Sequence, residues 1–478
     1  MSQQADRSTG LAGAYVGREP ESGARSPLGL MVGLPFAVFL GAVVLSDTTA
    51  GGWFTSRRLA LFALAFLAVL FADRWLAGER TEVETGLLLG RFALLVGLLV
   101  VVHYGRSGVI DGGSSLAFAG VLLALIALSL AHPTARDRPL ELASVGLFAV
   151  VLGIYFSHAS ALDPATASAR FPLWAGIVAA SCLFVVPRHL PEDWTLAAIA
   201  ALATPVSALG LSTLVLGAYD LGPFAVQPWS ATVPVPLVGE LQSTRSLFEN
   251  PNTFGLLAFA GTAAAAVGTV RAWPTDRALS IGFGFLALVN LGGLVLSNSR
   301  ASIAAFAVFA VVYAVALVGG RRTYPLAILA TLVGAVGVLL AISLGLIDSA
   351  GRLELWSAGL AVVADAPSAL GYGIVGTGAT IEPYLAERSG SVHNSYLSTA
   401  IRVGVVGGLA YLALVVAPLL YAAVRSANVS AAALALASAW AVHQLFEVYS
   451  LIQVSTPGVL AALALGYLLV GSAEPGDR

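Results

Sequence analysis

The sequence predicts an all-α fold, a polytopic integral membrane bundle of about 12–14 transmembrane helices, and three observations carry that prediction. Hydrophobic residues fill 58% of the 478 positions and charged residues only 10%. A soluble domain carries roughly 25% charged residues, so the composition excludes a water-soluble enzyme. Apolar runs of about 20 residues, enough to cross a hydrocarbon core of roughly 30 Å as a helix, recur from Leu28 to Val470. The net charge of −2 argues against a nucleic-acid partner and against a broad surface for anionic lipid. The single cysteine, Cys182, lies inside an apolar run and has no internal disulfide partner.

Residues 1–27 are polar, rich in glycine, serine and charge, and lack the features of a signal peptide, so they read as a disordered cytoplasmic tail. Fourteen candidate spans follow, near 28–46, 59–73, 85–104, 114–132, 139–157, 171–187, 193–217, 252–270, 278–296, 300–319, 325–347, 397–424, 430–451 and 456–472. The second is short, so twelve or thirteen also fit. The chain divides into an N-terminal set of spans over 28–217 and a second region over 218–472, with no internal repeat of the kind common in transporters. With the N-terminus inside, fourteen loop arginines fall on the cytoplasmic face against eight outside. The two longest connections, about 218–251 and 348–396, then face outward, in the cell membrane. Long connections between spans tend to be functional.

The first connection contains Pro223, Pro228, Pro234 and Pro236, which favour an extended path, and ends in Ser243-Thr244-Arg245-Ser246-Leu247-Phe248-Glu249-Asn250-Pro251-Asn252. Asn250 and Pro251 read as the N-cap and first residue of the eighth span. Arg245 stands just before that start, as an interfacial arginine or as a ligand-binding one. The tenth span opens with Ser297-Asn298-Ser299-Arg300, where Arg300 is either a helix-end anchor or a functional charge at the membrane boundary.

The second connection begins Gly351-Arg352-Leu353-Glu354-Leu355-Trp356, with Leu353, Trp356, Leu360 and Val363 at helical spacing, as in an interfacial amphipathic helix. Gly371, Gly373 and Gly376 formally match a dinucleotide fingerprint, but no strand precedes them and no acid follows at the needed distance, so a tight turn is the better reading. The connection closes with Val392-His393-Asn394-Ser395-Tyr396-Leu397. His393 is a cap or packing residue taken alone, yet its ordinary titration range suits general-base work. Further along, His443 and Glu447 stand four apart in the thirteenth span, on one helix face as a structural pair or along a substrate path.

The eighth, tenth and twelfth spans all run inward, so their N-termini, with positive dipole ends and unsatisfied N–H groups, point outward beside Arg245, Arg300 and His393. Arginines at helix starts make a site for a diphosphate, because the guanidinium fork binds phosphate oxygens in pairs.

These segments, together with Gly404-Val405-Val406-Gly407, resemble in order and context the O-antigen ligase and O-antigen polymerase superfamily over about 245–420. The resemblance implies a membrane glycosyltransferase of the C type that uses an isoprenoid-diphosphate-linked glycan donor in the bilayer, with a glycan, lipid or protein as acceptor, in envelope polysaccharide assembly. In such proteins two arginines contact the diphosphate and the outer-loop histidine activates or positions the acceptor; Arg245, Arg300 and His393 occupy the matching positions. Arg352, Asn250, Asn252, Asn394 and Tyr396 of the same motifs are the substrate-binding candidates. Arg402 stands where many relatives carry an acid, which puts a role for that acid in doubt.

The external segments hold no Asp-x-Asp or similar pair, so a metal-independent reaction without cofactors is expected, with inversion at the anomeric carbon. A transporter or flippase of a lipid-linked or anionic substrate is the competing class, and a noncatalytic scaffold the third. The topology has a direct check: cysteines introduced at Ser230 and Ser389 should react with an impermeant thiol reagent from outside, whereas labelling only from the cytoplasmic side would reverse the orientation.

Overall fold

A computed structural model describes residues 40, 41, 43–49, 139–160, 175, 176, 178–235, 239–344, 351–385, 390–425, 429–453 and 455–471. The tail and the spans expected at 59–73, 85–104 and 114–132 lie outside these residues, as does most of the first. The described chain is mostly helical. Its helices are α1 (Pro139–Ser160), α2 (Val178–Arg188), α3 (Glu192–Leu216), α4 (Pro251–Ala272), α5 (Arg277–Leu296), α6 (Arg300–Gly319), α7 (Tyr324–Ser343), α8 (Arg352–Ala364), α9 (Thr377–Ile381), α10 (Ser395–Val424), α11 (Ala431–His443) and α12 (Thr456–Gly471). Among the described residues six segments are long and apolar enough to cross a membrane, one of them joining α6 and α7 over Arg300–Ser343. Their outer faces keep side chains such as Ile281, Phe285, Leu288, Val333 and Val336 exposed, as lipid contact requires.

The first long connection is more than extended. It pairs into an antiparallel sheet of β1 (Tyr219–Leu221), β2 (Phe224–Val235) and β3 (Gly239–Ser246) in that order. Gly222, at φ 61°, and Pro223 make the tight turn between β1 and β2. The β2–β3 register shifts between Pro228 and Thr232, where a residue without an N–H tolerates the break. The sheet sets Arg245 at the far end of β3, five residues before the Asn250 cap of α4.

Helix α4 lies at the centre, its Ala- and Gly-rich surface largely buried among α3, α5, α6 and α12. A side chain at Gly255 would strike Ser297 Oγ at 2.4 Å and Ser299 Cβ at 2.6 Å, so only glycine lets α4 touch the turn that precedes Arg300. Between α3 and α5, buried Asn290 donates to Thr204 Oγ1 at 2.8 Å and accepts from Ser207 Oγ at 2.9 Å, a polar tie inside the apolar bundle.

Two expectations are corrected. The thirteenth span does not continue to 451: α11 ends at His443, so His443 and Glu447 do not share a helix face. The following backbone bonds to α10 instead. Ser395 N donates to Gln444 O at 2.8 Å, Ser395 Oγ to Glu447 O at 2.6 Å, and Leu451 N to Tyr411 Oη at 3.1 Å. These partners occupy groups that a continued helix would need. In α8 the packed face is Leu355, Ala358, Gly359 and Val362, while Leu353 and Leu360 of the expected stripe remain exposed, the arrangement of a helix lying at an apolar interface.

The glycine-rich turn explains the break in α10. Gly404 has φ 69° and ψ −175°, which frees carbonyls above it. Tyr372 N donates to Ile401 O at 3.0 Å and Gly373 N to Arg402 O at 2.8 Å, so the turn replaces the lost helical bonds. A Cβ at Gly404 would sit 2.0 Å from Ala369 O. Gly404→Ala should therefore destabilise the protein by about 3 kcal/mol or more, from backbone strain plus overlap. Gly337→Ala, with nothing within 4 Å, should not; thermal unfolding of the two purified variants compares them.

Candidate functional site

The starts of α4, α6, α8 and α10 gather at one end of the bundle. Each is built by local sequence. Asn250 caps α4 by accepting from Asn252 N at 2.8 Å, and Pro251 fills the first helical position. Ser299 caps α6, whose first residue is Arg300. Gly351, left-handed at φ 79°, turns the chain into Arg352 and α8. Asn394 caps α10 by accepting from Leu397 N at 2.9 Å. The turn before α6 joins the sheet, Asn298 Nδ2 donating to Thr232 O at 3.4 Å.

Glu447, in the turn after α11, connects three of these segments. Its Oε1 accepts from Asn252 Nδ2 at 2.9 Å and lies 3.5 Å from Arg352 Nη2. Its Oε2 lies 3.9 Å from His393 Nδ1. The Arg352 guanidinium also stacks over Phe446 at 5.8 Å. Burial pushes the Arg352 guanidinium below its ordinary pKa, Glu447 opposes this, and nearby Arg300 adds to it. Two arginines thus act on each other across the site.

Arg245 is held differently. Its guanidinium donates to Gln227 Oε1 and, at 3.0 Å, to Glu249 O, and its Cζ lies 5.5 Å from the Trp229 ring centre. All of these partners are neutral groups, so none of them cancels its charge. Tyr396 turns into the bundle, donating to Ala441 O at 2.9 Å, and stacks edge-on against Tyr411 at 6.0 Å. The structure therefore brings Asn252, Arg352 and His393 to one carboxylate, sets Arg300 within electrostatic reach, and uses Asn250 and Asn394 as helix caps and Tyr396 as an interhelical tie.

Backbone strain marks the same places. Among the described residues the non-glycine positions with positive φ are Ser246 at 50°, Asn298 at 54° and His393 at 43°. One follows Arg245, one precedes Arg300 by two residues, and one is the histidine itself. Each costs of order 1 kcal/mol and persists only where surrounding contacts enforce it, a situation that clusters at binding and catalytic sites.

Glu447 is the residue the sequence reading placed among the structural possibilities. The available signal was a carboxylate within an apolar run; its partners are remote in sequence and do not show there. Buried His443 instead bonds Ser302 Oγ at 3.3 Å and Tyr449 Oη at 3.0 Å. No group of three His, Cys, Asp or Glu side chains suited to a metal occurs among the described residues.

Residues 285–412 match the family model described as O-antigen ligase. No curated protein matches the chain. The matched stretch runs from within α5 into α10, and includes Arg300, Arg352 and His393 but neither Arg245 nor Glu447. Over residues 285–412 the chain is thus similar to O-antigen ligases, in agreement with the O-antigen ligase and polymerase superfamily that its motifs resemble.

Proposed function

We propose that this multi-pass membrane protein is a glycosyltransferase that moves a glycan from an isoprenoid-diphosphate-linked donor to an acceptor hydroxyl on the external face of the cell membrane. The similarity to O-antigen ligases supports the family-level part of this reading. The observation that carries the rest is the convergence of Arg352, His393 and Asn252 on Glu447, with Arg300 acting on Arg352 at the adjacent helix start. On this reading residues 218–472 form the catalytic region, and the acceptor is a glycan, lipid or protein.

Transfer breaks the bond between the anomeric carbon and a phosphate oxygen, so negative charge grows on the diphosphate. Arg300 and Arg245, fixed cations beside helix N-termini, stabilise that charge as it forms, with Arg352 as a further donor ligand. Asn250 and Asn394 as caps and Tyr396 as an interhelical tie shape the site, and Asn252 orients Glu447 within it. The acceptor hydroxyl attacks from the face opposite the diphosphate, which inverts the anomeric carbon, and His393 receives its proton. Fixed guanidinium charge does the work a divalent ion does in other glycosyltransferases, so transfer is expected to survive EDTA; loss with EDTA and rescue by Mg²⁺ or Mn²⁺ would contradict this.

The roles separate by mutation. Arg300→Ala should lower donor binding and transfer together, and Arg300→Lys should recover little because the paired fork is lost. His393→Ala should leave donor binding nearly intact while transfer falls by a factor on the order of 100 or more. Binding of a lipid-diphosphate glycan measured beside glycan transfer in reconstituted protein makes the comparison. Parental transfer by His393→Ala would reduce His393 to a helix-end residue and return weight to a transporter.

A further inference from the structure

The two oxygens of Glu447 face different groups. Oε1 is engaged by Asn252 Nδ2 at 2.9 Å and faces Arg352, whereas Oε2 faces His393 Nδ1 at 3.9 Å. That nitrogen is buried and makes no hydrogen bond, while the His393 side chain as a whole is 38% exposed. The ring therefore turns one edge toward the carboxylate and leaves the other toward open space. The left-handed backbone at His393 and the Asn394 cap hold the ring in that direction.

We infer that Glu447 is the positioning residue of the transfer reaction: it holds the His393 ring with Nδ1–H toward the carboxylate and Nε2 toward the acceptor, and it keeps Arg352 in place until the donor diphosphate engages that guanidinium. This rests on the glycosyltransferase reading above. Closing the 3.9 Å separation to a hydrogen bond needs a shift of about 1 Å, within the tightening expected as substrates bind.

The step balances. The acceptor O–H bond breaks and its proton goes to His393 Nε2; the acceptor oxygen bonds the anomeric carbon; the bond from that carbon to phosphate breaks, its electron pair leaving on the diphosphate. Glu447 takes no proton. It stabilises the imidazolium that forms, and Arg352, released from it, meets the charge on the leaving group.

Around Glu447 stand Arg352 opening α8, His443 closing α11 and Tyr449 beyond the turn, with Arg300 opening α6 near Arg352. The imidazolium formed during transfer has the Glu447 carboxylate as its facing negative charge.

The test uses the full-length protein in reconstituted membranes, with undecaprenyl diphosphate as binding probe and an undecaprenyl-diphosphate-linked glycan for transfer. Glu447→Gln should bind the probe as well as the parent or better, yet transfer glycan more slowly by a factor on the order of 100. Glu447→Asp should recover part of the rate. A double variant with His393→Ala should be no slower than His393→Ala alone, since both changes remove one function. A parental transfer rate in Glu447→Gln would overturn the inference, and so would joint loss of binding and transfer that Glu447→Asp does not relieve, which marks a purely structural carboxylate. Failure of the underlying reading looks different: the parent transfers no glycan, and Arg300→Ala leaves probe binding unchanged.

Discussion

The ion-pair contact between Glu447 and Arg352, extended by the hydrogen bond from Asn252, is the interaction on which the site end of this bundle depends. Helices α4, α6, α8 and α10 all present their N-termini there, and each brings a partial positive charge. Arg300 and Arg352 add two full charges that disfavour each other. Converging helix starts of one sign repel, and a counter-charge between them offsets that repulsion. A carboxylate supplied by a segment outside those four helices provides it, and α11 must stop at His443 for that segment to reach the position.

The same reasoning explains why the chain departs from regular helix where it does. Bonds from Ser395 and Tyr411 of α10 hold the 444–451 segment, so Glu447 is attached to the helix whose start carries His393. Farther down α10, Gly404 breaks the helix and the Gly371–Gly373 turn accepts the break, which locks the long connection against α10. The connection between α8 and His393 is thereby fixed at both ends. Small residues do comparable work in α4, where Gly255 admits the Ser297–Ser299 turn and so sets the height of Arg300.

Much of this was legible in the sequence, and the reason is length and capping. Apolar runs located α3 to α7 and α10 to within a few residues, and Asn-Pro at 250–251 marked the start of α4 by its cap chemistry. Loop arginines selected the end of the bundle at which candidates collect. Hydrophobicity alone misread the 430–451 run, because apolar residues of a folded turn and of a membrane helix look alike until their backbone partners are known. The β-meander was hidden for a related reason: the prolines signalled extension, but pairing depends on contacts between segments. Glu447 was visible only as an ionisable residue in an apolar run; its partners, Asn252, Arg352 and His393, come from three remote segments that no spacing rule connects.

The two ends of the bundle also differ in how they treat arginine, and that difference bears on chemistry. At the end opposite the site, Arg271 pairs with Glu192 and Asp193, and Arg188 with Glu141. Those charges are cancelled locally and brace α2 against α1 and α4 against α3. At the site end Arg245 rests on a carbonyl, an amide oxygen and an indole face, partners that orient it without neutralising it. An arginine so held keeps its field for an incoming anion. A carrier that alternates between two faces needs a binding charge reachable from both, whereas Arg245, oriented by neutral partners, stands at one end only, which favours the proposed transferase over a carrier.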